Sequence, residues 1–292
     1  MKVTGGWGRP YPDENAYSII SRMAMYIITP SHYLTSTRIF DGNRPLAQYV
    51  VKPLRKSDLV RWNLDEGEGF YRNHVLDHSS YPVYGSTLGK DRLQVLLDMV
   101  GGEELKNGRE KYLTRALGCT WLRKNCLYYC PACAEEELAR YGEPYWHRLH
   151  QLPGVDVCLR HQLKLCNSGE TMRRINFRFI PLYYVIAIQG MDKERKCRSP
   201  FEIELAEDVS WLMENGLDLG GRENVEILIE RNVHQRSLDM RKVRNRAWKM
   251  YGKLVDKYDM DSVAYLKWVD MNKSYLYLIL MARAMGVSVG DL

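Results

Sequence analysis

Long apolar runs are missing from this 292-residue sequence. Charges interrupt even the longest of them, such as Tyr183 to Ile188, far short of the roughly 20 residues that a membrane-spanning helix needs. The residues after Met1 also lack the apolar core of a secretory signal, so a cytoplasmic protein is expected. Cysteine is sparse: seven residues, an odd number, argue for a reducing compartment rather than a disulfide framework. Several catalytic signatures are absent. There is no G-x-x-x-x-G-K-[ST] loop, no G-x-S-x-G elbow, no carboxylate pair of convincing spacing and no H-x-E element of the kind a zinc deaminase carries. His74-Val75-Leu76-Asp77-His78 comes near the inverted zinc-protease pattern, but Asp stands where the general-base Glu would be and reaches less far. The expectation is a protein that is not an enzyme. No internal repeat or low-complexity tract appears.

What the chain does have is a metal-ligand array. Cys130 and Cys133 form one C-x2-C knuckle, Cys158 and His161 form a C-x2-H knuckle, and 24 residues separate the two. Ligands three positions apart let one turn aim both side chains at a point, and two such turns close a tetrahedron. Thiolate and imidazole favour Zn²⁺ over Mg²⁺ or Ca²⁺, and four protein ligands leave no position for water or substrate, so one structural zinc is expected. His150 competes as a fourth ligand, but His161 has the tight spacing and is preferred. Cys119, Cys126, Cys166 and Cys197 are then free thiols, with a second metal site as the lesser alternative.

The composition, 45% apolar and 27% charged, is that of a globular protein with room for two or three domains. The predicted fold class is mainly α, with helix-turn-helix-type helical domains flanking a zinc-ribbon module. Residues 1–118 read as a helical domain. Asp13 is the expected N-cap of a helix from Glu14 to about Ile28, and Ser31 caps a second helix to about Phe40. Asp41-Gly42-Asn43 is a turn, and further helices are expected over Pro53–Trp62, Gly67–Asp77 and Lys90–Val100. Residues 119–179 carry aromatics, cysteines and turn residues, with a short helix over Ala134–Tyr141 ended by Gly142 and a turn at Leu152-Pro153-Gly154-Val155. Phe177–Ile188 alternates poorly and is compatible with a strand or a buried helix.

Residues 180–292 return to helical periodicity, with Leu205–Met213, a basic segment and Ser262–Val269 as helices. Met240, Val243, Ala247, Met250 or Tyr251, and Leu254 share one face of the basic helix. Tyr275–Ala284 followed by Met285-Gly286-Val287-Ser288 reads as the first helix and turn of a helix-turn-helix whose next helix has barely begun at Leu292, which predicts a truncated chain. The net charge is +6. It is concentrated where Arg231, Arg236, Arg241, Lys242, Arg244, Arg246, Lys249 and Lys253 face a single acid, Asp239. These cations are the candidate duplex-DNA contacts; a solvated face is the alternative.

Tyr129-Cys130-Pro131-Ala132-Cys133, Arg140-Tyr141-Gly142-Glu143-Pro144-Tyr145-Trp146, His150-Gln151-Leu152-Pro153-Gly154-Val155 and Val157-Cys158-Leu159-Arg160-His161 together resemble the signature of the TniQ/TnsD family. Pro10-Tyr11-Pro12-Asp13-Glu14-Asn15-Ala16-Tyr17-Ser18 is similar to that family's amino-terminal motif, and Tyr81-Pro82-Val83-Tyr84 to a further landmark. The resemblance implies a target-site selector for a heteromeric transposon. Such a protein marks a DNA site and recruits the AAA+ ATPase TnsC, which brings the transposase. It also implies a bacterial location, on the nucleoid when DNA is bound. Metal ligation carries over to Cys130, Cys133, Cys158 and His161, and TnsC binding to the region of Tyr11, Asp13, Glu14, Tyr17 and Arg22. TnsD-branch members bind an attachment site through helix-turn-helix modules. TniQ-branch members act as protein-protein adaptors positioned by a CRISPR guide-RNA effector complex or by TnsC, so that alternative stands beside direct DNA binding.

Overall fold

A computed structural model describes residues 9–27, 31–40, 44–62, 64, 67, 69–101, 124–257 and 274–292. The amino-terminal part is a cluster of short helices: α1 (Ala16–Met25), α2 (His32–Ile39), α3 (Lys56–Arg61), α4 (Phe70–His78), α5 (Tyr81–Tyr84) and α6 (Lys90–Val100). Ser31 caps α2 as expected, its Oγ accepting from Leu34 N at 3.2 Å. The cap of α1 differs from expectation. Asn15, not Asp13, accepts from the Ser18 N–H at 2.8 Å, and the helix begins at Ala16. Asp13 instead takes a left-handed backbone conformation (φ 57°), tolerable for a short polar side chain, which turns its carboxylate toward a distant part of the chain. The turn expected at Asp41-Gly42-Asn43, the helix at Ser262–Val269 and Cys119 lie outside the described residues.

The central module is small in regular structure. Strand β1 (Cys126–Tyr129) pairs antiparallel with β4 (Cys166–Thr171), and β2 (Val157–Cys158) with β3 (Leu163–Lys164). Helix α7 (Pro131–Tyr141) has proline at its first position and ends on Gly142 in the left-handed conformation (φ 79°). Gly154 (φ 91°) makes the expected turn, closed by Val155 N to Leu152 O at 3.1 Å. A Cβ there would stand 3.1 Å from Leu276 and 3.4 Å from Leu205 and Val209, so the turn seats directly on carboxy-terminal helices.

After α8 (Met172–Ile175), the ambiguous segment resolves as helix α9 (Leu182–Gln189) rather than strand, buried on one face only: Leu182 and Val185 are in the core while Tyr184 and Ile188 are largely exposed. Next come α10 (Pro200–Asn215), α11 (Arg222–Gln235), α12 (Met240–Lys257) and α13 (Tyr275–Met285). The segment of α11 carries too diffuse an apolar stripe to stand out as a helix in sequence. Residue after residue of α13 is buried, and α10, α11 and α12 all pack on it. Arg283 near its end meets Asp208 at 2.5 Å and Glu204 at 3.2 Å, and Asp208 also accepts Val289 N at 3.1 Å. Those bonds tie α10, α13 and the final turn together. Gly286 and Ser288 follow α13 as expected, Ser288 capping a short 3₁₀ turn over Val289–Asp291. No helix among the described residues is long and apolar enough to cross a membrane.

Candidate metal centre and nucleic-acid interface

Two local turns build the metal centre. Cys130 immediately precedes α7 and Cys133 lies in its first turn, while Cys158 ends β2 and His161 lies in the turn to β3. His161 Nδ1 stands 3.6, 3.3 and 3.5 Å from the Sγ atoms of Cys130, Cys133 and Cys158, and the Sγ atoms of Cys133 and Cys158 are 3.6 Å apart. A tetrahedral ion bonded at about 2.3 Å to sulfur and about 2.0 Å to nitrogen sets its ligand atoms roughly 3.5–3.8 Å apart, so the four residues fit a metal ion with only small shifts. Hydrogen bonds to Cys130 and Cys133 hold the Cys158 thiol far below its ordinary pKa, and hydrogen bonds to Cys130 and Cys158 push Cys133 far above. Three thiols this close cannot all ionise unless a cation joins them.

Sequence reasoning missed the support around these ligands. The Nε2 of His161 lies 3.2 Å from Glu136 Oε1, and Arg160 holds the other oxygen of Glu136 at 2.6 Å. A carboxylate on the far nitrogen fixes the ring so that Nδ1 faces the sulfurs. Glu136 sits one helical turn from Cys133 and Arg160 beside His161, a signal present in the sequence but indistinguishable there from surface charge. His150, the competing candidate, is buried beside Cys158 and is not among the clustered ligand atoms. Cys126, Cys166 and Cys197 join no metal-ligating cluster among the described residues.

The chain's opening segment is strapped onto this module. Asn15 N donates to Trp146 O at 3.0 Å, Trp146 N to Ser18 Oγ at 3.0 Å, and Trp146 Nε1 to Ile180 O at 2.8 Å. Gln151 exchanges bonds with the β1 backbone, accepting from Tyr128 N at 2.9 Å and donating to Tyr128 O at 2.8 Å. Lys124, fully buried, donates to His150 O at 2.9 Å and to Val155 O. Much of the 24-residue spacer between the knuckles therefore serves to join segments distant in sequence.

The residues assigned to partner binding sit in that strap. Tyr17 is fully buried, its hydroxyl donating to Arg178 O at 2.8 Å and accepting from Ile180 N at 3.0 Å. Glu14 is fully buried and takes Arg22 Nε at 2.7 Å and Nη2 at 2.9 Å, while Arg22 Nη1 reaches Glu143 at 2.5 Å. The Arg22 guanidinium also lies over the Tyr11 ring at 4.1 Å, and Tyr11 stacks on Tyr141 at 4.4 Å. Of the five, only Tyr11 and Asp13 keep exposed surface.

Asp13 accepts from Arg148 Nε at 2.7 Å and pairs with His147 Nδ1 at 3.3 Å, while His147 Nε2 meets Glu137 at 2.5 Å. With a carboxylate on each nitrogen, His147 is an imidazolium rather than a metal ligand, although it lies near Cys133. Burial opposes its charge, but the hydrogen bonds to Asp13 and Glu137 prevail and raise its pKa from 6.5 to about 10. Burial likewise opposes ionised Asp13, yet His147 and Arg148 hold its carboxyl at about 2. A raised histidine contributes fully below its unfolded value and loses that contribution as pH climbs to the folded value. His147→Asn should accordingly lower the melting temperature most between pH 3.8 and 6.5, and the gap from the parent should close as pH approaches 10. A gap that widened with rising pH would mean a neutral imidazole in the fold.

The sequence-suspected pair His74 and His78 does not form a site. Its rings are 5.4 Å apart, but His74 Nε2 accepts from Leu54 N at 3.0 Å and His78 Nδ1 is engaged by Glu14 O at 2.8 Å. Burial, reinforced by His78, drives the His74 pKa well down, so it is a neutral core acceptor.

The basic residues behave differently. Arg231 lies on α11, Arg236 just beyond it, and Arg241, Lys242, Arg244, Arg246, Lys249 and Lys253 on α12; all eight are exposed. Val243, Ala247, Tyr251 and Leu254 are buried, as the periodicity predicts, and anchor α12 on α13. Asp239 starts the helix, its Oδ1 accepting Arg241 N at 2.8 Å. Arg246 Nη1 also reaches Ala284 O at 3.4 Å.

Comparison with known proteins agrees with this geometry at the strap and the knuckles. Over 154 residues the chain is 27% identical to the transposon Tn7 transposition protein TnsD of Escherichia coli, a match covering 52% of this chain and 29% of that protein. A family model described as TniQ matches residues 7–165, which hold the strap, all four clustered candidate metal ligands and the spacer between them, and with more than half of its length so matched the chain belongs to the TniQ family.

Proposed function

We propose that this protein selects a transposon's target site, binding duplex DNA through α12 and the end of α11 and recruiting the AAA+ ATPase TnsC through its amino-terminal part. The observation that carries the DNA half is the placement of six exposed cations on a helix already anchored by its apolar stripe, with Arg231 and Arg236 exposed at the end of α11 beside them, in a chain of the TniQ family. Lysines and arginines on such a face neutralise phosphates and release counterions, giving affinity that falls steeply with salt. Residues 1–118 would recruit, residues 119–179 would form a module held by one zinc ion, and residues 180–292 would face DNA. Three thiolates and an imidazole in a closed tetrahedron suit zinc in a purely structural role. Buried Glu14, Tyr17 and Arg22 would then serve recruitment by holding Tyr11 and Asp13 in place.

A salt titration of duplex binding tests the reading. Replacing Arg241, Arg244 and Arg246 by Ala should weaken binding and flatten the log–log salt slope by about 0.9 per lost phosphate contact, with the melting curve checked because Arg246 also touches α13. Unchanged affinity and slope would remove α12 as the DNA contact and favour an adaptor positioned by a CRISPR guide-RNA effector complex or by TnsC.

A further inference from the structure

The exposed surface of α12 divides into two flanks of different chemistry. At about 100° per residue, Val243, Ala247, Tyr251 and Leu254 fall within about 80° of arc, the buried stripe. On one side Lys242, Arg246, Lys249 and Lys253 fill an arc of about 60° with nothing but cations. On the other side Arg241, Arg244, Asn245 and Trp248 fill about 100°. That second flank borders a recess of about 550 Å³ lined by Asp239, Met240, Arg241, Arg244, Asn245 and Trp248. It holds the basic segment's one acid, an amide and a large aromatic that is 42% exposed and stacked on Tyr251 at 5.9 Å.

Phosphates explain the first flank and fail to explain the second. A phosphate is drawn to clustered ammonium and guanidinium groups, whereas Asp239 repels it and the indole of Trp248 offers it little. Base edges in a major groove have the complementary set: guanidinium pairs with guanine, carboxamide with adenine, and an apolar ring can meet a thymine methyl. Stacking on Tyr251 limits the freedom of Trp248, as a reading group requires.

Resting on the DNA-binding reading above, we infer that α12 is itself the sequence-reading helix: Arg241, Asn245 and Trp248, with Arg244, face base edges, and Lys242, Lys249 and Lys253 hold the flanking phosphates. Arg244 also reaches Tyr277 and Arg246 touches Ala284 O, so both are spared in the test.

The experiment uses the full chain and two triple variants, Arg241→Ala/Asn245→Ala/Trp248→Ala and Lys242→Ala/Lys249→Ala/Lys253→Ala. Each is checked by thermal melting, and Asn245→Ala alone, at an exposed position, covers the case in which the first triple fails to fold. Each protein is used to select duplexes from a pool with a randomised core, and its affinity for the parent's selected duplex and for a scrambled one is measured across salt. The lysine variant should lose about 2–3 units of salt slope and keep the parent's motif. The reading-flank variant should lose about 10- to 100-fold of the preference for the selected duplex over the scrambled one, with a slope change of no more than about 1. Preference retained by the reading-flank variant and by Asn245→Ala overturns the inference, as does preference lost by the lysine variant alone. If the parent binds DNA but enriches no motif, base reading falls and phosphate binding stands. If no variant alters binding to either duplex, α12 is not the DNA contact and both readings fall.

Discussion

Cys133→Ser should unfold the central module, and a strong chelator should do the same to the parent protein. The Cys133 sulfur lies 3.3 Å from His161 Nδ1 and 3.6 Å from the Cys158 sulfur, at the start of α7. Metal binding in small zinc modules carries on the order of 10 kcal/mol of apparent folding free energy, comparable to the whole stability of a domain. The strands here are two to six residues long and pair only two by two, too little regular structure to persist unaided. The expected result is loss of the zinc proposed for this centre, loss of protection at β1–β4 and retention of part of the helical signal, since α10, α11 and α12 pack on α13. One tightly held zinc and an unchanged melting curve in the variant would refute the assignment. Because the strap around Tyr11 rests on Tyr141 and Trp146 docks under α1, the TnsC recruitment proposed above should fail with the module.

Arg22→Ala should be the most damaging single change outside the metal centre. It removes two hydrogen bonds from the Glu14 carboxylate, which has no exposed surface, and leaves it the Tyr11 N–H at 2.9 Å. Glu143 loses its contact at 2.5 Å, and Tyr11 loses the guanidinium over its ring. Breaking one side of a buried ion pair destabilises by about 3–5 kcal/mol, because the remaining charge is left without compensation. Denaturant melts would read this directly; a loss below about 1 kcal/mol would mean that the pair behaves as a surface bridge. Replacing Glu14 and Arg22 together by apolar residues of similar volume should recover much of the loss, since desolvation of both charges disappears with them. Burial of Arg22 between Glu14, Glu143 and Tyr11 thus makes it a residue that holds the amino-terminal motif in place.

The clustering of Cys130, Cys133, Cys158 and His161 was legible from sequence because each knuckle is local: three-residue spacing and the chemistry of thiolate and imidazole are properties of neighbouring residues. The same holds for α6 over Lys90–Val100, for the Ser31 cap, for the Gly142 stop and for the apolar stripe of α12. Segment α9 was not legible, since a short apolar run has no period that separates strand from helix, and its exposure depends on what packs beside it. Nor was the cap at Asn15. Asp13 fits a cap equally well by local rules, and only Arg148 and His147, more than 130 residues away, draw it out of that role.

Charged residues divide along the same line. The family resemblance marked Arg22 and Glu14, and the charge pattern marked the cations of α12, as candidate contact residues, but tertiary structure buried the first two against each other and left the cations of α12 in solvent. Residue identity and spacing determine where a helix can form, where it can stop and where a metal can be held. Whether a charge is spent inside the protein or presented to a partner depends on which distant segment supplies a counter-charge and excludes water, and only the folded chain decides that.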